Sequence, residues 1–254
     1  MAETLYTYLL YAMPPLAIIV FAALFFIKAG YGIFHTKAWG VSLPNKTGWI
    51  LMEIPAFIIM LAMWLQSENR MEPTLLTFFL LFEMHYFQRS LIFPFLMKGH
   101  SKMPFSIMFM GILFNLINGF LIGESLFHLT PVEKYNSAWL SSPAFIVGII
   151  IFFIGMGINL HSDHVIRTLR PKGDTKHYLP QKGIYHYITS GNYFGELVEW
   201  LGFAILTDST AAWIFVLWTF ANLAPRAYAI NKQYRKEFGN EAVGKRRCLI
   251  PFIY

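Results

Sequence analysis

Asn159, Asp163, Arg167 and Arg170 recur at intervals of four, four and three in Gly155-Met-Gly-Ile-Asn-Leu-His-Ser-Asp-His-Val-Ile-Arg-Thr-Leu-Arg170. Those intervals draw one polar stripe along a helix. A facing stripe, Asn192, Glu196 and Glu199, occurs in Ser190-Gly-Asn-Tyr-Phe-Gly-Glu-Leu-Val-Glu-Trp200, and Arg226 and Tyr234 follow further along. Guanidiniums beside carboxylates and amides suit a phosphate-bearing ligand, because the planar Arg fork matches two phosphate oxygens at once. An earlier polar group has a different make-up. Glu53 stands in Trp49-Ile-Leu-Met-Glu-Ile-Pro-Ala-Phe57, and Glu83, His85, Tyr86, Gln88 and Arg89 crowd between two apolar runs. Tyr86 and Arg89 are three apart and share a helical face, a spacing that Asn115 and Asn118 repeat. A phenol and a carboxyl so placed can donate or orient hydrogen bonds to a substrate oxygen.

All of these groups lie in or beside apolar runs. An ionisable side chain at a bilayer centre costs at least about 2.5–3.5 kcal/mol on insertion scales, so each needs a partner, water or a function. Helix-packing hydrogen bonds and arginines reaching for headgroups account for any one residue, such as Glu199 or His85. They do not account for the whole set, because a packed bundle needs few carboxylates.

Common soluble motifs are absent. Gly155-Met-Gly157 follows a helix rather than a strand and lacks a third glycine, so it makes no dinucleotide fingerprint. The sequence has no phosphate-binding loop of the GxxxxGK[ST] type, no His-Glu-x-x-His helix and no Gly-x-Ser-x-Gly elbow. Cys248 is the one cysteine, which rules out an intramolecular disulfide and a cysteine-based metal site. No metal is expected.

The elements that must position these side chains are helices in lipid. With 254 residues, 56% hydrophobic, 13% charged and 25 Phe, the composition is far from that of a soluble domain. Apolar runs predict seven transmembrane helices near Leu5–Ile27, Trp49–Leu65, Thr74–Met97, Pro104–Phe127, Pro143–Leu160, Tyr193–Thr207 and Ala211–Ala224. The first run lacks a basic flank and exceeds a signal-peptide core, so it reads as a retained span. Pro14-Pro15, Pro55 and Pro94 fall inside these helices, where a missing N–H and a ring clash are expected to kink them. The fold class is thus an all-α polytopic membrane protein, one domain over residues 1–254, expected to be monomeric.

Charge sets the orientation. Seventeen of the twenty Lys and Arg residues fall in the first, third and fifth loops and the C-terminal segment. Arg70 and Lys134 alone occupy the other side, and Arg89 lies within a span. Basic loops stay cytoplasmic, so the C-terminus is expected in the cytosol and the N-terminus outside. The same loops and anionic headgroups explain the net charge of +6, and no nucleic acid is expected as a partner.

Several stretches resemble the steroid 5-alpha-reductases. They are Phe153-Ile-Gly-Met-Gly-Ile-Asn-Leu-His-Ser-Asp163, Ile166-Arg-x-Leu-Arg170, Pro180-Gln-x-Gly183 and Ser190-Gly-Asn-Tyr-Phe-Gly-Glu-Leu-Val-Glu-Trp200. Glu53-Ile-Pro-Ala-Phe57, His85-Tyr86-Phe-Gln-Arg89, Asn118-Gly119, Arg226-Ala227 and Leu249-Ile-Pro-Phe-Ile-Tyr254 extend the resemblance over most of the chain, nearest to the family's type 2 branch. The resemblance implies an NADPH-dependent membrane enzyme that saturates the C4–C5 double bond of a 3-oxo-4-ene steroid. It implies that Glu53 and Tyr86 hold the substrate carbonyl. It also implies that Asn159, Asp163, Arg170, Asn192, Glu196, Arg226 and Tyr234 belong to the cofactor region, to which the guanidinium of Arg167 adds a further phosphate fork, with substrate mainly over residues 1–130 and NADPH mainly over 143–254. Hydride delivery to the β-carbon of an enone pushes charge onto the carbonyl oxygen, which needs a donor there. The membrane implied is the endoplasmic reticulum in a eukaryote or the inner membrane in a bacterium.

This chain departs from the family at three places. Met52 stands where those enzymes have glutamine, and Tyr228-Ala-Ile-Asn-Lys232 stands where the type 2 branch has a histidine run. Lys98-Gly-His-Ser-Lys102 replaces an arginine-containing loop with a phosphate role. Three other readings compete with a steroid reductase. A reductase of another lipid enone satisfies the same carbonyl logic. An isoprenylcysteine-type methyltransferase would use S-adenosylmethionine, but a zwitterionic cofactor does not call for these arginines. A transporter would place its polar groups at the midplane between repeats, and no internal repeat is visible.

Overall fold

The computed structural model describes residues 2–98, 101–171, 174 and 176–254. Among these residues eight α-helices carry the fold: α1 (Ala2–Phe26), α2 (Asn45–Gln66), α3 (Pro73–Phe87), α4 (Phe93–Leu96), α5 (Phe105–Glu124), α6 (Pro143–Thr168), α7 (Gly191–Thr207) and α8 (Thr210–Val243). Among the described residues, four helical stretches are long and apolar enough to cross a membrane: α1, α2, α5 with the turn that extends it to Leu129, and α6.

Local chemistry sets the ends. Pro73 and Pro143 open α3 and α6, where a missing N–H costs nothing, and the Ser142 hydroxyl accepts from the Phe145 amide at 3.1 Å. Asp208 ends α7 in the left-handed region at φ 48°. Gly239, at φ 86° and ψ 159°, breaks the helical path of α8 before its last turn.

Each of the seven expected runs is helical, with three differences from the sequence reading. The run Thr74–Met97 is divided into α3, a π-turn at Gln88–Ile92 and α4. Pro94 lacks the N–H that the Ser90 carbonyl would receive, and the Phe93 amide reaches back to Gln88, so the turn widens. The last run continues well beyond Ala224, because a helix that leaves lipid needs no apolar composition. A small antiparallel ribbon interrupts the all-α pattern: β1 (Ser42–Pro44) pairs with β2 (Lys102–Pro104), Leu43 opposite Met103, and leads into α2 and α5.

Glycines decide how closely the helices meet. A Cβ at Gly148, Gly155, Gly195 or Gly202 would lie closer than 3.0 Å to backbone atoms of the facing helix, so α6 and α7 touch backbone to backbone. The α2–α5 contact is built differently. Side chains of Met52, Ile59 and Met63 fill the places of the absent Cβ atoms at Gly111, Gly119 and Gly123. The core between these pairs is aromatic, with Phe82, Trp200 and Phe203 fully buried. Beyond it, Tyr135 and Trp139 donate to the carbonyls of Thr207 and Leu206 at 2.6 and 2.9 Å, closing the end of α7.

Candidate active site

The two earliest polar positions meet through a third. Asn115 of α5 donates from Nδ2 to the Met52 carbonyl at 2.7 Å and to Glu53 Oε2 at 3.2 Å, while the Tyr86 hydroxyl donates to Asn115 Oδ1 at 3.4 Å. One amide therefore links α2, α3 and α5. The Tyr86 ring packs 4.7 Å from Phe82 and 5.8 Å from Trp200, which holds the hydroxyl in place. Behind it, His85 Nδ1 lies 2.8 Å from Glu199 Oε1, a buried pair that ties α3 to α7. Two buried donors, Asn118 Nδ2 one turn beyond Asn115 and Trp200 Nε1, have no hydrogen-bond partner among the described residues. Unspent buried donors beside a phenol favour a ligand acceptor such as a carbonyl oxygen.

The second group gathers around Arg89, which the π-turn delivers from the third helical run. Its guanidinium lies 3.4 Å from Asp163 Oδ2 and 3.8 Å from Glu196 Oε2, and it stacks 4.9 Å from the Trp49 ring and 4.7 Å from the Phe93 ring. Asp163 Oδ1 accepts from Asn192 Nδ2 at 3.2 Å, and Asn159 Nδ2 donates to the Asn192 carbonyl at 2.9 Å. The close approach of α6 and α7 makes these short bonds possible. The hydroxyls of Ser162, Tyr185 and Ser190 are buried around the start of α7 with no partner among the described residues.

Of the residues read from the sequence as one cofactor region, Asn159, Asp163, Asn192 and Glu196 thus come together. Arg226 is engaged elsewhere. It donates to the Tyr193 hydroxyl at 2.8 Å and to the carbonyls of Ala29 and Tyr31 at 3.3 and 3.2 Å, and its guanidinium lies 3.6 Å from the centre of the Tyr31 ring. It fastens the loop after α1 onto α8. Burial in this contact pushes the Tyr31 phenol up to about 12, against the opposing pull of the Arg226 charge. Arg167 is half-buried on the last turn of α6 and Arg170 is exposed just beyond its end, and no hydrogen bond or ion pair among the described residues ends on either. Tyr234 is half-buried on α8, on the side of Arg170.

Three participants have no site role assigned from the sequence, although Arg89 and Asn115 stand among its intramembrane polar residues. Arg89 carried a signal, as the one cation inside a span, and Asn115 carried another in its spacing from Asn118. Tyr31 carried none, because only the tertiary fold brings its loop to Arg226. In the Lys98–Lys102 loop, Gly99 and His100 lie outside the described residues. No group of three His, Cys, Asp or Glu side chains able to hold a metal ion occurs among the described residues.

Comparison with known proteins gives a consistent picture. A family profile described as 3-oxo-5-alpha-steroid 4-dehydrogenase matches residues 101–254. The chain is 34% identical to 3-oxo-5-alpha-steroid 4-dehydrogenase 1 of Bos taurus over 244 residues, covering 94% of this chain and 93% of that protein. It is 31% identical to Steroid 5-alpha-reductase DET2 of Gossypium hirsutum, covering 99% and 98%. It is 32% identical to 3-oxo-5-alpha-steroid 4-dehydrogenase 2 of Sus scrofa, covering 91% of each.

Proposed function

Since the chain belongs to the 3-oxo-5-alpha-steroid 4-dehydrogenase family, we propose that it reduces the C4–C5 double bond of a 3-oxo-4-ene steroid, with NADPH as reductant. The observation that carries this reading is the Glu53–Asn115–Tyr86 link with unspent donors beside it.

When bound, NADPH supplies a hydride for the substrate's C5. Addition at C5 moves negative charge through C4 onto the C3 oxygen, and the enolate then takes a proton from solvent at C4, which restores the C3 ketone. Tyr86 gives up its long 3.4 Å contact with Asn115 and donates to that oxygen. Glu53 holds Asn115, and through it the phenol, from the opposite side. The aromatic walls of Phe82 and Trp200 exclude water, which strengthens the hydrogen bond as charge develops.

The residues present fit the cofactor. Arg167 and Arg170, without hydrogen-bond or ion-pair partners among the described residues, supply forks for phosphate. The buried hydroxyls of Ser162, Tyr185 and Ser190 offer further hydrogen bonds close to Asp163 and Asn192. Asn159, Asp163, Asn192, Glu196 and Arg89 form the wall between the two halves of the site. Arg226 and Tyr234 line the cofactor side, Arg226 by holding the Tyr31 loop over it. In this arrangement substrate occupies mainly residues 1–130 and NADPH mainly 143–254.

The same reading takes the chain as a monomer with seven membrane spans and a cytosolic C-terminus, which puts Arg167 and Arg170 on the side where NADPH is available. Incubating the purified protein with NADPH and a panel of 3-oxo-4-ene steroids, with products read by mass, tests it. A gain of two hydrogens is expected. No reduction of any member of the panel, by protein shown to bind NADPH, would overturn the substrate assignment.

A further inference from the structure

The C-terminal segment folds back beside the start of α7 and borders an open cavity that the reaction does not use. The cavity measures about 480 Å³ and is lined by His186, Tyr187, Lys245, Arg246, Arg247 and Phe252, among others, with no acidic side chain. Glu241, the nearest acid in sequence, is not in its lining. His186, Lys245 and Arg247 are exposed, whereas Arg246 donates to the Pro180 carbonyl at 3.3 Å.

The walls are fixed by backbone. The Arg247 amide donates to the Tyr187 carbonyl at 2.9 Å, and the Thr189 amide donates to the Arg247 carbonyl at 2.9 Å. Phe252 is a non-glycine residue held at φ 66°, a costly turn that leaves Phe252 and Ile253 each 75% exposed. Tyr187 packs against Phe252 with ring centroids 5.3 Å apart and the ring planes tilted by 57°. The depth of this turn is also set, since the Tyr254 hydroxyl donates at 3.3 Å to the carbonyl of Ala224, where the last apolar run ends. A basic cavity with two bare apolar side chains at its edge, level with the end of a membrane run, has the make-up of an interfacial site.

We infer that this cavity binds the headgroup of an anionic phospholipid, with Lys245 and Arg247 meeting the phosphate and Phe252 and Ile253 entering the acyl region. A soluble phosphate would satisfy the cations but gives no reason for the exposed apolar pair, so a lipid is the occupant the surface fits. The inference rests on the proposed membrane placement of the C-terminus and is independent of the reductase chemistry.

The test uses the full chain in neutral detergent, with binding of phosphatidylserine and phosphatidylcholine measured by native mass spectrometry. Phosphatidylserine is expected to bind more tightly. Each of Lys245→Ala and Arg247→Ala should weaken it about fivefold, from about 1 kcal/mol per interfacial cation, and leave phosphatidylcholine unchanged. Phe252→Ser should weaken both lipids. Equal binding of the two lipids, or an unchanged preference in the double variant Lys245→Ala/Arg247→Ala, overturns the inference. Displacement of phosphatidylserine by millimolar inorganic phosphate also overturns it, in favour of a soluble anion. If the double variant folds poorly, Lys245→Glu alone carries the test, because that side chain is exposed. Steroid reduction in phosphatidylcholine should be the same with and without these substitutions, so failure of the lipid site and failure of the proposed reaction are read separately.

Discussion

Glu53 and Tyr86 meet through the amide of Asn115, whose nitrogen donates to the carboxylate and whose oxygen accepts from the phenol. An amide in this position orients both groups, because its donor and acceptor ends cannot be exchanged without losing both bonds.

Tyr86→Phe removes only the hydroxyl, so the fold should survive while turnover falls by about 10²–10³, the usual cost of losing one oxyanion donor. Asn115→Leu and Glu53→Gln should also slow hydride transfer. Because the three act as one unit, double variants should be little worse than the worse single variant. Single-turnover NADPH oxidation on folded variants is the measurement, and cofactor affinity should stay near wild type in all of them. Unchanged rates in the Tyr86 and Glu53 variants would remove the pair from the mechanism.

Cofactor choice tests Arg167 and Arg170. NADPH should be preferred over NADH, and Arg170→Ala should raise KM for NADPH about tenfold or more, the scale of one charge-assisted hydrogen bond, with little change in the chemical step. Equal catalytic efficiency with both nucleotides would refute the phosphate role.

The α6–α7 contact predicts opposite outcomes for two neighbouring glycines. Gly155→Ala places a methyl group against the Glu199 backbone and should destabilise the protein by about 1–3 kcal/mol. Gly157→Ala meets nothing within 4 Å and should be neutral or stabilising by up to about 1 kcal/mol. Thermal unfolding in detergent separates them.

Tyr31 gives a prediction in alkali. Its phenol is raised to about 12 from the usual 10, so the folded state holds this proton more tightly than the unfolded state does. The stability this brings is complete below pH 10 and is lost as pH climbs through about 12. The phenolate difference spectrum between wild type and Tyr31→Phe should show one late-titrating tyrosine. Arg226→Ala should delay it further, since the guanidinium favours the phenolate.

The charge split predicts topology. A tag after Tyr254 should face the cytosol and a tag before the first span should face the opposite side. Protease protection of both tags together would refute an odd number of spans.

Much of this was readable from residue types and spacing. Apolar runs locate every long helix, because lipid forces each spanning segment to be apolar and to satisfy its own backbone. The full extent of α8 is not legible, since the helix persists through Arg226, Lys232 and Arg235 once outside the apolar run. Pro94 signals a disturbance but not its form, a widened turn that carries Arg89 to Asp163 and Glu196. The stripes on α6 and α7 are visible as spacings, and their glycines fix how near they come. The part played by Asn115 is hidden, because it joins residues some thirty and sixty positions away in the chain.

The two glycine-lined contacts leave the halves of the site unequally free to change. Where α6 and α7 meet backbone to backbone, no side chain stands between them to be enlarged or trimmed, so the spacing of Asn159, Asp163 and Asn192 resists adjustment by substitution. Across α2 and α5, the side chains of Met52, Ile59 and Met63 plug the gaps, and each can be exchanged for a shorter or longer one. If the site is divided as proposed, new lipid specificities should therefore arise by resizing these plugs, while the proposed nucleotide side stays as it is across descendants that reduce different molecules.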